Sequence, residues 1–140
     1  MNMDALLAML RRHEDERLTP YDDATGKELR AGDFIRGNIT IAIGVNISDG
    51  ISPAESQMLT ESRVDAALTD LEQFAWWGDL SESRQEALVD LRFNLGPWRF
   101  REFRQMIHAL AVKDYPEAAR QMLDSAAARQ LPARYRELAQ

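Results

Sequence analysis

Two carboxylic acids and a hydroxyl, all within residues 6–46, are the side chains of this 140-residue chain best suited to proton transfer. The stretch reads LLAMLRRHEDERLTPYDDATGKELRAGDFIRGNITIAIGVN and carries Glu14, Asp23 and Thr40. Leu7, Leu10 and Glu14 are separated by three and four residues, so a helix would place them on one face. A carboxyl on an apolar stripe is expected to be partly buried, which favours its neutral form and prepares it to act as a general acid. Asp23 lies beyond Pro20 in a polar Asp-Asp-x-Thr-Gly run, where water and backbone amides should keep it ionised. The pair would supply one acid and one base.

The elements that must hold these groups are marked by punctuation. Asp4 is expected to cap a first helix of about ten residues, ending before Thr19-Pro20 because a residue ahead of proline is pushed out of the helical region. Residues 38–45, NITIAIGV, are β-branched and apolar and predict a strand, with breaks at Gly37 and Asn46. Tyr21 to Asn38 would then form a small antiparallel sheet with a long, exposed hairpin loop.

From Ser52 onward the pattern is helical. Ser52-Pro53-Ala54-Glu55 is a capping box with proline at the first helical position. Thr60 is expected to cap a separate helix through Phe74, turning Val64, Ala67, Leu68 and Leu71 inward, with Trp76-Trp77-Gly78 closing it. Ser81 or Ser83 starts the next, striped by Ala87, Leu88, Leu91 and Leu95 and stopped by Gly96-Pro97. Phe100, Phe103, Met106, Ile107 and Leu110 stripe a further helix, Asp114-Tyr115-Pro116-Glu117 opens another, and Leu131-Pro132 precedes a last short one. The fold class expected is α+β, a small antiparallel β-hairpin lobe (about 15–55) and a larger, mostly helical lobe (about 60–140, packed with the first helix), joined by a long helix.

Composition narrows the functional classes. The length suits one domain, and 45% hydrophobic with 29% charged residues is globular usage. There is no cysteine, so nothing depends on disulfides. His13 and His108 are isolated, no metal site is expected, and Asp22-Asp23-Ala24-Thr25-Gly26 is neither a calcium loop nor a phosphate cradle. No apolar run approaches the ~20 residues of a membrane span, and Met3 to Leu10 lacks the form of a signal peptide. The net charge of −6 is uneven: residues 1–80 hold 7 Lys and Arg against 15 Asp and Glu, residues 81–140 hold 10 against 8. The stretch Trp98-Arg99-Phe100-Arg101-Glu102-Phe103-Arg104 admits a helical nucleic-acid-binding module as a rival, which the acidic total opposes.

Taken in order, LRRHEDERLTPYDDATG, NITIAIG, ISPAE, LVDLRFNLG, FRQMIHALAVKDYPEAARQMLDS and ARQLPARYREL resemble the tailed-phage lysozymes, glycoside hydrolase family 24, over nearly the whole chain. Its most specific part is a Glu, eight intervening residues, an Asp, then a turn and a Thr-Ile-x-Ile-Gly strand. The resemblance implies a lysozyme-like fold and hydrolysis of the β-1,4 bond between N-acetylmuramic acid and N-acetylglucosamine, with the glycan strand between the lobes.

By the same resemblance Glu14 is the general acid, Asp23 positions or activates water, and Thr40 helps hold that water. Asn94 takes the place of a supporting amide and Arg134 that of an arginine paired with the catalytic glutamate; Asn46, the break after the strand, is expected as a further substrate-binding or supporting residue. No cofactor is implied, and a monomer acting on bacterial peptidoglycan, without nucleic acid or membrane span, is expected. The chain would be made in the host cytoplasm and reach the periplasmic wall after release, or ride on a virion. It departs from the family at Asp15 (usually glycine), at Val45 (usually histidine) and at Ala126-Ala127-Ala128, where many have tryptophan. Sixteen residues separate Asp23 from Thr40, far more than usual. The insertion Lys27 to Gly37 would extend glycan contacts or carry Thr40 out of reach of Asp23. The remaining rivals are a lytic transglycosylase, which does not need the Asp, and a catalytically impaired glycan-binding relative.

Overall fold

The computed structural model describes residues 1–140. It falls into two compact units, Met1–Ser56 and Gln57–Gln140.

The amino-terminal unit opens with helix α1, Met3–Glu14. Asn2, rather than Asp4, caps it: the Asn2 side-chain oxygen accepts the Ala5 N–H at 3.1 Å, and Asp4 lies in the first turn. No side chain of α1 is buried. The helix stops because Asp15 takes a φ of +57°, a left-handed conformation in which aspartate is among the better-tolerated non-glycine residues.

The helix ends before Thr19-Pro20 as expected, and those two residues belong to strand β1, Glu16–Asp22. Strands β2 (Lys27–Glu28), β3 (Ile39–Ile43) and β4 (Val45–Asn46) complete an antiparallel sheet in the order β2-β1-β3-β4. A tight turn over 23–26 links β1 to β2, with the Gly26 N–H on the Asp22 carbonyl at 2.7 Å. The long hairpin expected between Tyr21 and Asn38 is thus a short hairpin followed by a return loop to the other edge of β1. Tyr21 pairs with Thr40 and Asp22 with Ile39, whereas Arg17 pairs with Ala42, so the β1–β3 register slips between them. Ala42 sits at this irregularity with a φ of +58°.

The boundary between the units falls inside α2, Pro53–Leu71. Its capping box forms as expected: the Ser52 N–H donates to Glu55 Oε2 at 2.7 Å and the Glu55 N–H to Ser52 Oγ at 3.2 Å. Thr60 does not start a separate helix, because the preceding turns already satisfy its backbone. A short 3-10 turn, Trp77–Asp79, precedes α3 (Glu82–Leu95), which Ser81 caps. The phenylalanine stripe is divided at Phe103 into α4 (Pro97–Glu102) and α5 (Arg104–Ala111). There the Phe103 N–H bonds the Phe100 carbonyl in a tighter turn. Helices α6 (Tyr115–Leu123), α7 (Ala126–Gln130) and α8 (Pro132–Leu138) follow.

The carboxyl-terminal unit packs one apolar core around Leu71, Leu91, Phe100, Met106 and Tyr135, all at most 1% exposed. At its edge Asp70 accepts from Arg92 Nε at 2.7 Å and from both terminal nitrogens of Arg101. These contacts hold the Asp70 carboxyl below the usual carboxylate range, Arg101 contributing most and burial opposing. They also engage Arg101, one of the three arginines of the Trp98–Arg104 stretch that admitted the nucleic-acid rival.

Candidate active site

The first acid is positioned by a helix end and a glycine. Glu14 is the last residue of α1 and is exposed, so the partial burial expected from its stripe is not seen. Its carboxyl lies against Gly44, where an added Cβ would stand 2.7 Å from Glu14 Oε2. Gly44 also has a φ of +65°, between β3 and β4, so the backbone favours glycine there, and a side chain at this position would displace the Glu14 carboxyl.

The second acid is held at the opposite end of β3. Asp23 is the exposed residue after β1, and Asn38 grips it twice: the backbone N–H donates to Oδ1 at 2.7 Å and the side-chain amide to Oδ2 at 3.1 Å. The Asp23 N–H in turn donates to the Asn38 carbonyl at 3.1 Å. That carbonyl also accepts the hydroxyl of Thr40 at 3.2 Å. Thr40 is buried, with its proton committed to the main chain, which leaves its oxygen's remaining capacity as an acceptor. The insertion does not carry Thr40 away from Asp23, since β3 stays paired with β1 and Asn38 binds both residues.

Gly37 and Asn38, in the sequence only a break and a strand start, are the neighbours that hold Asp23. A Cβ on Gly37 would lie 2.2 Å from Asp23 Oδ1, so only glycine lets the chain pass this close. The signal was present as Gly-Asn directly ahead of a β-branched run, but its partner is fifteen residues upstream. Asn46, in β4, faces Thr40 across the β3–β4 pair. Its own side-chain oxygen accepts the Ser48 N–H at 2.9 Å, and Ser48 Oγ accepts the Ile39 N–H at 2.7 Å, so Asn46 braces the strand ends.

The other two candidates lie in the carboxyl-terminal unit. Arg134 Nε donates to Asp90 Oδ1 at 2.7 Å, and the neighbouring Tyr135 hydroxyl donates to Asn94 Oδ1 at 3.1 Å. Consecutive residues of α8 thereby grip positions one turn apart on α3. Burial pushes the Tyr135 phenol up. Within this unit Arg134 is engaged by Asp90. No group of three or more His, Asp or Glu side chains converges as a metal site.

A helix ending in an exposed glutamate, an antiparallel hairpin carrying an oriented aspartate, and a helical carboxyl-terminal region define a lysozyme-like α+β protein. The chain matches Phage lysozyme over residues 11–134 and belongs to that family. This is a family of glycoside hydrolases, and membership implies a peptidoglycan-degrading muramidase. Compared with curated proteins, the chain finds no match. No helix is long and apolar enough to cross a membrane.

Proposed function

We propose that the chain hydrolyses the β-1,4 bond between N-acetylmuramic acid and N-acetylglucosamine in peptidoglycan, with Glu14 as general acid and Asp23 as the carboxylate that directs water. Glu14 protonates the glycosidic oxygen, which leaves poorly without a proton. Asp23 activates a water on the opposite face of the sugar and offsets the positive charge that develops on the ring. Thr40 offers its oxygen to that water. The substrate is the glycan strand of a bacterial wall, reached after release from the producing cell or from a virion.

The observation that supports this reading best is the geometry of Asp23. An exposed carboxylate gripped on both oxygens by one residue is an oriented base, not a freely turning surface group. Its presence favours hydrolysis over transglycosylation, which needs only the acid. The test is product mass spectrometry on purified peptidoglycan with wild type, Glu14→Gln and Asp23→Asn. Reducing-end muropeptides are expected from the wild type, with turnover lowered about 10²–10⁴-fold in Glu14→Gln. Anhydro products would make the enzyme a transglycosylase, and intact peptidoglycan with folded wild type would end the hydrolase reading.

A further inference from the structure

Next to Asp23 stands a carboxylate for which the catalytic scheme has no use. Asp22 is 2% exposed, the most buried acidic residue of the chain. Its Oδ2 accepts the Arg36 N–H at 2.6 Å, and its Oδ1 accepts those of Gly37 and Ala24, each at 3.0 Å. Burial of a charge is unfavourable unless hydrogen bonds replace the lost water. Here they do: the Arg36 amide, ahead of burial's opposing effect, holds the Asp22 carboxyl below the usual carboxylate range.

The pattern of donors gives Asp22 a purpose. Three successive amides, Arg36, Gly37 and Asn38, point at two successive carboxylates, the first two at Asp22 and the third at Asp23. The far end of the insertion is thus fastened to β1 by Asp22, one residue before the contact that orients Asp23. Two like charges side by side repel, and the shared row of amides offsets that repulsion. The near end is fastened separately, by the Leu29 N–H on the Pro20 carbonyl at 2.9 Å.

We infer that Asp22 is the positioning residue for the reaction: by fastening residues 36 and 37 to β1 it places Asn38, and through Asn38 it sets where the Asp23 carboxylate points. The inference rests on the proposed role of Asp23. Asp22 itself touches neither substrate nor the reacting atoms.

The decisive variant is Asp22→Asn. Its amide oxygen can still accept from Ala24 and Gly37, but its NH2 group meets the Arg36 N–H, donor against donor. The loop control is Asp33→Asn, at a carboxylate that accepts only the Arg30 N–H within the insertion. Solution NMR of the full chain follows the Asn38 amide, and kcat and KM are measured on solubilised glycan strands.

In folded Asp22→Asn the Asn38 amide proton should move upfield as its bond to Asp23 lengthens. A misplacement of about 1 Å can cost up to about a hundredfold, so kcat should fall about tenfold to a hundredfold with KM within about threefold. Asp33→Asn should change neither reading. The inference is overturned if Asp22→Asn folds and keeps its kcat. It is equally overturned if kcat falls while the Asn38 amide stays in place, since Asp22 would then act by another route.

If Asp22→Asn does not fold, Gly37→Ala attacks the same contact by pushing a methyl group toward Asp23 Oδ1. It should reproduce both effects, and a folded Gly37→Ala with wild-type kcat overturns the inference. Asp23→Asn separates the two claims. If it turns over like wild type, the catalytic reading fails and the positioning role with it; if it loses turnover while Asp22→Asn does not, only the positioning role fails.

Discussion

The sheet unit and the helical unit are held together by different physics. Between β1 and β3 the buried side chains are Tyr21, Asp22 and Thr40, of which two are polar. The helical unit instead buries Leu71, Trp76, Trp77, Leu88, Leu91, Phe100, Met106, Leu110, Met122 and Tyr135 in one cluster. Apolar packing tolerates small shifts and resists loss of volume. Hydrogen bonds to fixed carboxylates do the reverse, conferring direction at the cost of dependence on single atoms. The region that orients the proposed acid and base is the one built on direction.

The largest effect that would break this contrast is a cavity in the helical core. Phe100 has no exposed surface, and Phe100→Ala should cost about 3–5 kcal/mol. Urea unfolding followed by tryptophan fluorescence reads it directly, since Trp76 and Trp77 lie in the same cluster. A loss under about 1 kcal/mol would mean that packing is not what holds these helices.

A smaller effect sharpens the contrast on the sheet side. Ala42 is held at a φ of +58°, where an L side chain crowds the backbone at a cost of about 1–2 kcal/mol. Glycine removes that crowding but adds unfolded-state entropy, so Ala42→Gly should stabilise by up to about 1 kcal/mol. A lowered thermal midpoint would show that contacts of the alanine methyl outweigh the backbone strain.

The smallest effect lies on the helical surface. Glu117 accepts from Arg120 at 2.7 Å through both oxygens' bonds and from Gln121 at 2.7 Å, which pull its pKa down to about 2. A depressed folded-state value contributes stability above the ordinary glutamate range, lost as pH falls from about 4.5 toward 2. Glu117→Gln should therefore flatten that part of the acid unfolding curve and leave stability near pH 7 slightly lower. An acid limb identical to wild type would show that the pair forms no more in the folded chain than in the unfolded one.

What the chain displayed in advance follows the same division. Local signals were legible: the Ser52–Glu55 box, the Gly96-Pro97 stop and the opening at Asp114 all act within a few residues. The inward set on α2 was legible too, with Ala67 and Leu71 buried and Val64 and Leu68 half-buried. Thr60 misled because a threonine, though favoured at a helix start, is carried inside a helix when the turns before it already supply the backbone bonds. Thr19-Pro20 was legible as the limit of the first helix, although proline excludes the helix there without saying that a strand replaces it. Around the candidate site, Glu14, Asp23 and Thr40 were legible as residue types in a pattern. Asn38, Gly37 and Asp22 were not, because their meaning depends on pairing across fifteen residues that no local spacing encodes.

The double fastening of the insertion makes it a natural exchange port. Residues 30–35 hang between two anchored points, Leu29 on Pro20 and Arg36 on Asp22. Closure entropy grows only logarithmically, about 0.6 kcal/mol for each doubling of length. Peptides of different length can then be spliced between the anchors at little thermodynamic expense, and with them recognition elements foreign to the enzyme. Phe34, 97% exposed within that span, is the first residue such a graft would replace.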